Sequence, residues 1–437
     1  MLDRLRQGWA AIDAGAASLS GPFVGSFGFR GLGLLLGFGG NVLLARLLGV
    51  AEFGAYTLAF TVVTLLALPL HDGAANLLMR EVARDAAAGA WGTLRGALWA
   101  ANLFVLAGAA VAVAIVAPIV WSQVPGPGRT LWWLALALLP LYALASLRGA
   151  TMLGLARPVL AQIPDLIIRP AALALALLIG GALGGWRVSA ATAMAFHVGA
   201  ASSAFLVGTL LVLRVLPQPI WSAPPKYRWR AWLRSLGPFA LISGVQLTNG
   251  SLAVLLLGYF STASEISAYR IAYLGSSLLT IGLVAGAQIL APQITALYAR
   301  GELEELQLRI RTMTRIMLVT AVPPALVILV FGRPLIRGIF GEEYVGAQWP
   351  IAVLIIGQLV NVATGGVGML MIMTGHEASA LRTLIATTLL NLALGAALTP
   401  LLGALGAAIA GMTAMVVLNL RLVWQAKQLL GIRCTPW

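Results

Sequence analysis

The stretch PQPIWSAPPKYRWRAWLR, residues 217–234, decides how the rest of the chain is read. It is the longest polar segment in 437 residues and lies between two long series of apolar runs. Prolines come first, and then Trp221, Tyr227, Trp229 and Trp232 are interleaved with basic side chains. Aromatic rings with a polar edge settle at the membrane–water boundary, and arginines are drawn to anionic head groups. The pattern reads as an interfacial linker with anionic lipids as partners, and not as a nucleic-acid patch.

Outward from this segment, hydrophobic residues make up 60% of the chain and charged residues only 10%, and mean hydropathy is +0.93. A water-soluble protein of this length cannot cover its surface with so little charge. A spanning helix takes about 20 mostly apolar residues. Runs of that kind fall near 21–48, 53–72, 97–121, 131–153, 163–182 and 189–213 before the linker. They fall near 236–260, 268–294, 313–332, 349–373, 380–400 and 404–425 after it. The expectation is therefore an all-α integral membrane protein of about twelve transmembrane helices.

Two echoes relate the halves. GVAEFGAYTLAF (49–60) and TASEISAYRIAY (262–273) share a Glu-x-small-Ala-Tyr pattern, at Glu52–Tyr56 and Glu265–Tyr269. Met152-Leu-Gly154 is matched by Met373-Thr-Gly375 at the corresponding place. The repeat predicts two parallel six-helix lobes around a central cavity, related by an axis along the membrane normal. The expected organisation is a cytoplasmic lead-in helix (1–20), an N-terminal lobe (21–216), the linker (217–235) and a C-terminal lobe (236–437).

Basic residues orient this arrangement. With the N-terminus inside, only Arg46, Arg129, Arg187, Arg333 and Arg337 fall on outer segments. Arg30, Arg169 and Arg270 fall within or at the edges of spans, and the rest of the 28 lysines and arginines lie inside. An inward bias that alternates loop by loop places both termini in the cytoplasm of a multi-pass protein. The start does not read as a cleaved signal, because Asp3, Arg4, Arg6 and Asp13 interrupt the first twenty residues.

Motifs for chemistry are missing. Lys226 and Lys427 are the only lysines, and neither stands in a phosphate-binding loop. There is no H-E-x-x-H, no G-x-S-x-G and no acidic pair of the type metal-dependent glycosyltransferases use. Three histidines and the lone Cys434 leave little for a metal site and nothing for an intrachain disulfide. The expectation is a non-enzyme without cofactor or metal. Gly33-x-x-x-Gly37 and Gly282-x-x-x-Gly286 read as close helix packing.

Polar residues at membrane depth are costly and need a reason. Arg30, Gly37 and Asn41 share a face of the first span, and Thr57, Thr61, Thr64 and His71 form a stripe ending beside Asp72. Gln246 and Asn249 mark the seventh span, Arg270, Ser277 and Gln288 the eighth, and Gln358 with Asn361 the tenth. The cavity candidates are Arg30, Asn41, Asp72, Asn249, Arg270, Gln358 and Asn361, whose arginines would draw an anionic substrate into a hydrated path. Asp165 and Arg169, four residues apart on the fifth span, read first as a neutralised structural pair and second as cavity groups. His197 reads as packing or a satisfied polar group.

LLARLLGVAEFGAYTLAF (43–60), LMREVAR (78–84) and LIRGIFGEEYVGAQWPIAVL (335–354) together give the chain a resemblance that extends over nearly its whole length. They resemble the Wzx-type polysaccharide flippases of the multidrug/oligosaccharidyl-lipid/polysaccharide exporter superfamily. The resemblance implies two lobes that open a cavity alternately to each side of the bacterial cytoplasmic membrane. It implies a polyprenyl-pyrophosphate-linked oligosaccharide as substrate, and a polymerase or glycosyltransferases as further partners. By position, Arg30 and Arg270 would hold the pyrophosphate. Coupling would be to a proton or sodium gradient or to the membrane potential. A lipid II flippase or a multidrug antiporter of the same superfamily is the alternative, with a membrane glycosyltransferase or polymerase as the reading from another class.

Overall fold

The computed structural model describes residues 21–68, 70, 73–185, 187–230, 232 and 251–432. Helices dominate these residues. They are α1 (Gly21–Leu68), α2 (Ala74–Ala87), α3 (Trp91–Gln123), α4 (Gly126–Gly154), α5 (158–183) and α6 (Ala190–Val215). After the linker come α7 (Ser251–Phe260), α8 (Ala263–Ser277), α9 (Ile281–Arg300), α10 (Leu303–Ile339), α11 (Gln348–Ala363), α12 (Val367–Met373) and α13 (Glu377–Leu430). Each expected span falls on helix over most of its described residues, the described part of the seventh being α7, and the tenth is interrupted by a turn at 364–366. The lead-in helix expected at 1–20 lies outside the described residues.

Two of the longest helices each contain a sharp change of direction that doubles them into two spans. In α13 the break is Gly403 (φ 55°), a backbone conformation that glycine reaches without a Cβ clash. Thr383 near one end of α13 and Gln425 near the other are hydrogen-bonded at 3.1 Å, so the two arms lie side by side and antiparallel. Glu265 of α8 braces the turn, its Oε2 accepting the Ala404 N–H at 2.6 Å. In α1 the break is Gly49 (φ 73°).

The chain forms two compact units, one of Met1–Leu47 with Val62–Gly244, the other of Leu48–Thr61 with Val245–Trp437. In the first, α4 lies against α2, α3 and α6. Gly33 of α1 comes so close to α5 that a Cβ would sit 3.0 Å from the Leu166 carbonyl, whereas Gly37 has open space. In the second, α11 packs on α8, α10 and α13. Gly282 and Gly286 face Thr320 and Met317 of α10, which a Cβ on either glycine would meet.

The unit boundaries differ from the sequence division at 48–61. This segment belongs to the second unit because it is keyed there by contacts that hydropathy does not encode. Ser267 donates to the Val50 carbonyl at 2.6 Å, Phe53 meets Tyr344 edge-on at 6.3 Å, and a Cβ on Gly54 would overlap the Ala263 carbonyl. The linker likewise has a place of its own, packed on α2 and α3 of the first unit.

Candidate functional site

In the first unit, α4, α5 and α6 converge around Gly208. A Cβ there would touch both Arg148 of α4 and Pro164 of α5 at 3.5 Å, so all three helices come together through the missing side chain. Two polar constellations stand on these helices.

The first is built around an irregular turn. Pro164 and Pro170 lack the N–H that a regular helix needs, and between them the chain widens into a π-turn over Pro164–Ile168. The Arg169 N–H reaches back five residues to the Pro164 carbonyl. Such turns recur at functional sites because they redirect side chains without ending the helix. Here Asp165 and Arg169 pair at 3.0 Å, each side chain about a quarter exposed. The Arg169 guanidinium lies 4.3 Å from the centre of the Tyr142 ring. The Tyr142 hydroxyl in turn hydrogen-bonds the buried His197 Nε2 at 2.7 Å.

The second constellation surrounds Arg148. Its Nη1 donates to Asn102 Oδ1 at 2.6 Å, its Nε donates to Thr209 Oγ1 at 3.3 Å, and its guanidinium faces the Phe205 ring at 5.0 Å. These partners are neutral, so they orient the cation without cancelling its charge. Asn102 sits eleven residues into α3, roughly 16 Å along the helix from Trp91.

The second unit carries its own polar groups. Arg270 of α8 is half-buried, with Tyr273, Tyr56 and Tyr269 close enough to act on it electrostatically. On α11, Asn361 donates to Gln358 at 3.2 Å. One turn on, Thr364 joins Asn419 of α13 at 3.0 Å, beside the helix interruption at Gly365 and Gly366.

The family of polysaccharide biosynthesis proteins matches residues 43–348. This chain belongs to that family. A search of curated proteins finds no match. Among solved structures, the chain is similar to a multidrug resistance MATE family transporter of the MOP superfamily in an inward-facing conformation (TM-score 0.75, 13% identity, 91% of this chain and 94% of that one). It is similar to the lipid II flippase MurJ in an inward closed conformation (TM-score 0.74, 13% identity, 92% and 87%). It is similar also to a MOP superfamily transporter from Pyrococcus furiosus whose binding pocket is described as of reverse polarity (TM-score 0.65, 13% identity, 93% and 95%). At such identity the likeness establishes the fold, an all-helical multi-pass membrane fold shared with MOP transporters.

For this polysaccharide biosynthesis family member, the expected site residues divide into three groups. Asp72 and Asn249 lie outside the described residues, as do the side chains of Arg30 and Gln288. Asn41 donates back to the Gly37 carbonyl at 2.8 Å, a bond within its own helix. Asp165–Arg169, Gln358–Asn361 and Arg270 each belong to a polar group with partners on other helices or on the same turn. Arg148 and Tyr142 were missed. Arg148 lies within the 131–153 run but counts with the inner charges near its cytoplasmic end. Its signal lay in Asn102 and Thr209, polar residues within otherwise apolar runs.

Proposed function

We propose that this protein translocates a lipid-linked oligosaccharide, joined to its carrier through polyprenyl pyrophosphate, from the inner to the outer leaflet of the bacterial cytoplasmic membrane. The observation that carries the reading is Arg148, a cation held between helices by the neutral Asn102, Thr209 and Phe205. A guanidinium presents a planar fork of donors that matches two phosphate oxygens at once. With no carboxylate among its described partners, its field is directed at whatever anion enters. Arg270, set among tyrosines, supplies a second cation in the other unit, and tyrosine rings and hydroxyls suit sugar faces.

In this reading the units alternate in exposing the path, driven by an ion gradient or the membrane potential. The termini are cytoplasmic, the substrate comes from glycosyltransferases on the inside, and the product passes to a polymerase outside. The family membership supports the pathway, and the transporter fold supports movement rather than bond-making.

The test is glycan export in cells whose chromosomal copy is deleted and replaced by Arg148→Ala, Arg148→Lys or Arg270→Ala. Loss of export with the lipid-linked precursor accumulating inside, at normal protein level, supports the assignment. Full export in both alanine variants removes these arginines from the path. Accumulation of lipid II instead of the glycan precursor reassigns the substrate, and loss of drug resistance with export intact reassigns the protein to multidrug efflux.

A further inference from the structure

The linker is a strap fastened at both ends. Near its start, Arg95 of α3 donates to the carbonyls of Trp221 and Ala223 at 2.8 and 2.9 Å, and the Lys226 N–H donates to the Gly92 carbonyl at 2.9 Å. Gly96 allows this approach, since a Cβ there would overlap the Lys226 carbonyl. At the far end, Trp232 is buried and donates Nε1 to Glu81 of α2 at 2.9 Å. Glu81 is itself held by Arg84 at 2.6 Å. Burial lowers the affinity of the Arg84 guanidinium for its proton, but the bond to Asp85 and the charges of Glu81 and Asp85 outweigh it and its pKa is raised.

Between the two fastenings the strap does not close onto the helices. A small, partly open recess remains, roofed by Trp229 and Trp232 and floored by Leu77, Leu78, Ala101 and Phe104. It follows α3 from Ala97 to Phe104, a length of roughly 10 Å at helical rise. The one charged side chain lining it, Glu81, is occupied by Trp232 and Arg84. A second, more open cleft is bounded by Pro224, Lys226, Arg228 and the turn before α3. Arg228 borders the cleft and Trp229 the recess, and consecutive Cα atoms are about 3.8 Å apart. Arg230 and Arg80 are exposed on the same strap and on α2.

We propose that the strap and helices α2 and α3 form a binding site for an anionic phospholipid. Its phosphate sits in the Lys226–Arg228 cleft and one acyl chain lies in the recess under Trp229 and Trp232. The pairing of a cationic cleft with an apolar recess one residue away fits an amphiphile, and neither half suits a soluble anion or a bare hydrocarbon alone. The recess is small and partly open, so it covers a short length of one chain and leaves the rest to the bilayer. Exposed Trp221, Tyr227 and Trp229 belong at head-group depth, where such a lipid is drawn. This lipid assignment does not rest on what is transported.

Lipid retention on the purified full-length protein, read by native mass spectrometry, tests this. The probes are phosphatidylglycerol, phosphatidylcholine of equal chain length, glycerol phosphate and a polyprenyl phosphate. Phosphatidylglycerol is expected to be held at least tenfold better than phosphatidylcholine, with no retention of glycerol phosphate. Replacing the exposed cations Lys226, Arg228 and Arg230 together by Ala lowers phosphatidylglycerol affinity on the order of a hundredfold, at roughly fivefold per cation. Ala101→Phe, which fills the recess and leaves the charge alone, lowers retention while phosphate attraction persists. Equal retention of the two phospholipids overturns the proposal, as does an unchanged triple variant. Displacement of phosphatidylglycerol by equimolar polyprenyl phosphate also overturns it, giving the recess to the carrier.

Discussion

Arg148 and Arg169 are the same residue type in the same compact unit, on neighbouring helices, and they have been given opposite surroundings. Arg169 has Asp165 at 3.0 Å and a tyrosine ring beneath its guanidinium. Arg148 has an amide, a hydroxyl and a phenyl ring. A cation facing a carboxylate satisfies its neighbour and exerts little field at a distance. A cation oriented by neutral dipoles keeps its charge for a ligand, at a desolvation cost that only a function explains. The first arginine bridges the π-turn to its own carboxylate, and the second has only neutral groups among its described partners.

That contrast is sharpest in transport. Arg148→Ala removes charge-assisted hydrogen bonds worth about 2 kcal/mol, and export should fall roughly thirtyfold. Arg148→Lys, which keeps the charge without the fork, should recover part of the loss. If both variants export normally, the neutral surroundings of Arg148 serve packing alone and the contrast collapses.

The Arg169 side is broken differently. Asp165→Ala removes the carboxylate beside Arg169 and should lower stability by about 1–3 kcal/mol, discounted because both side chains are partly exposed. The double replacement of Asp165 and Arg169 by Ala should cost less than the two single changes added together, since both charges of the pair are then removed. Thermal unfolding of the purified protein measures this. Additive losses would mean that the pair does not act as a unit.

Smaller changes refine the picture. Tyr142→Phe keeps the ring under Arg169 and removes the hydroxyl bonded to His197, so about 1 kcal/mol of stability should go while export persists. Thr209→Val removes the longer of the two bonds orienting Arg148, and roughly 0.5 kcal/mol is the expected loss. A competition assay for export at low substrate supply would detect it as a small rightward shift.

Hydropathy located the spans because each helix buries or exposes apolar side chains along its whole length. The Asp165–Arg169 pair was legible for the same local reason, four residues being one turn. Arg148 was not, because its partners lie 46 and 61 residues away on two other helices. The affiliation of 48–61 with the second unit was equally hidden, since it depends on Gly54 meeting the Ala263 carbonyl and Ser267 finding Val50. Spacing along one helix reveals contacts within that helix. Contacts between helices leave only single polar or small residues in the sequence, and these look alike whether or not they are used.

The doubled helix at Gly403 also bears on how the protein is made. With Thr383 bonded to Gln425 and the turn itself clasped by Glu265, the two arms have almost no slack between them. We expect the two arms to enter the bilayer together, as one hairpin joined at Gly403. A topology reporter spliced in at Gly403 therefore lands in the one joint that this stretch needs intact.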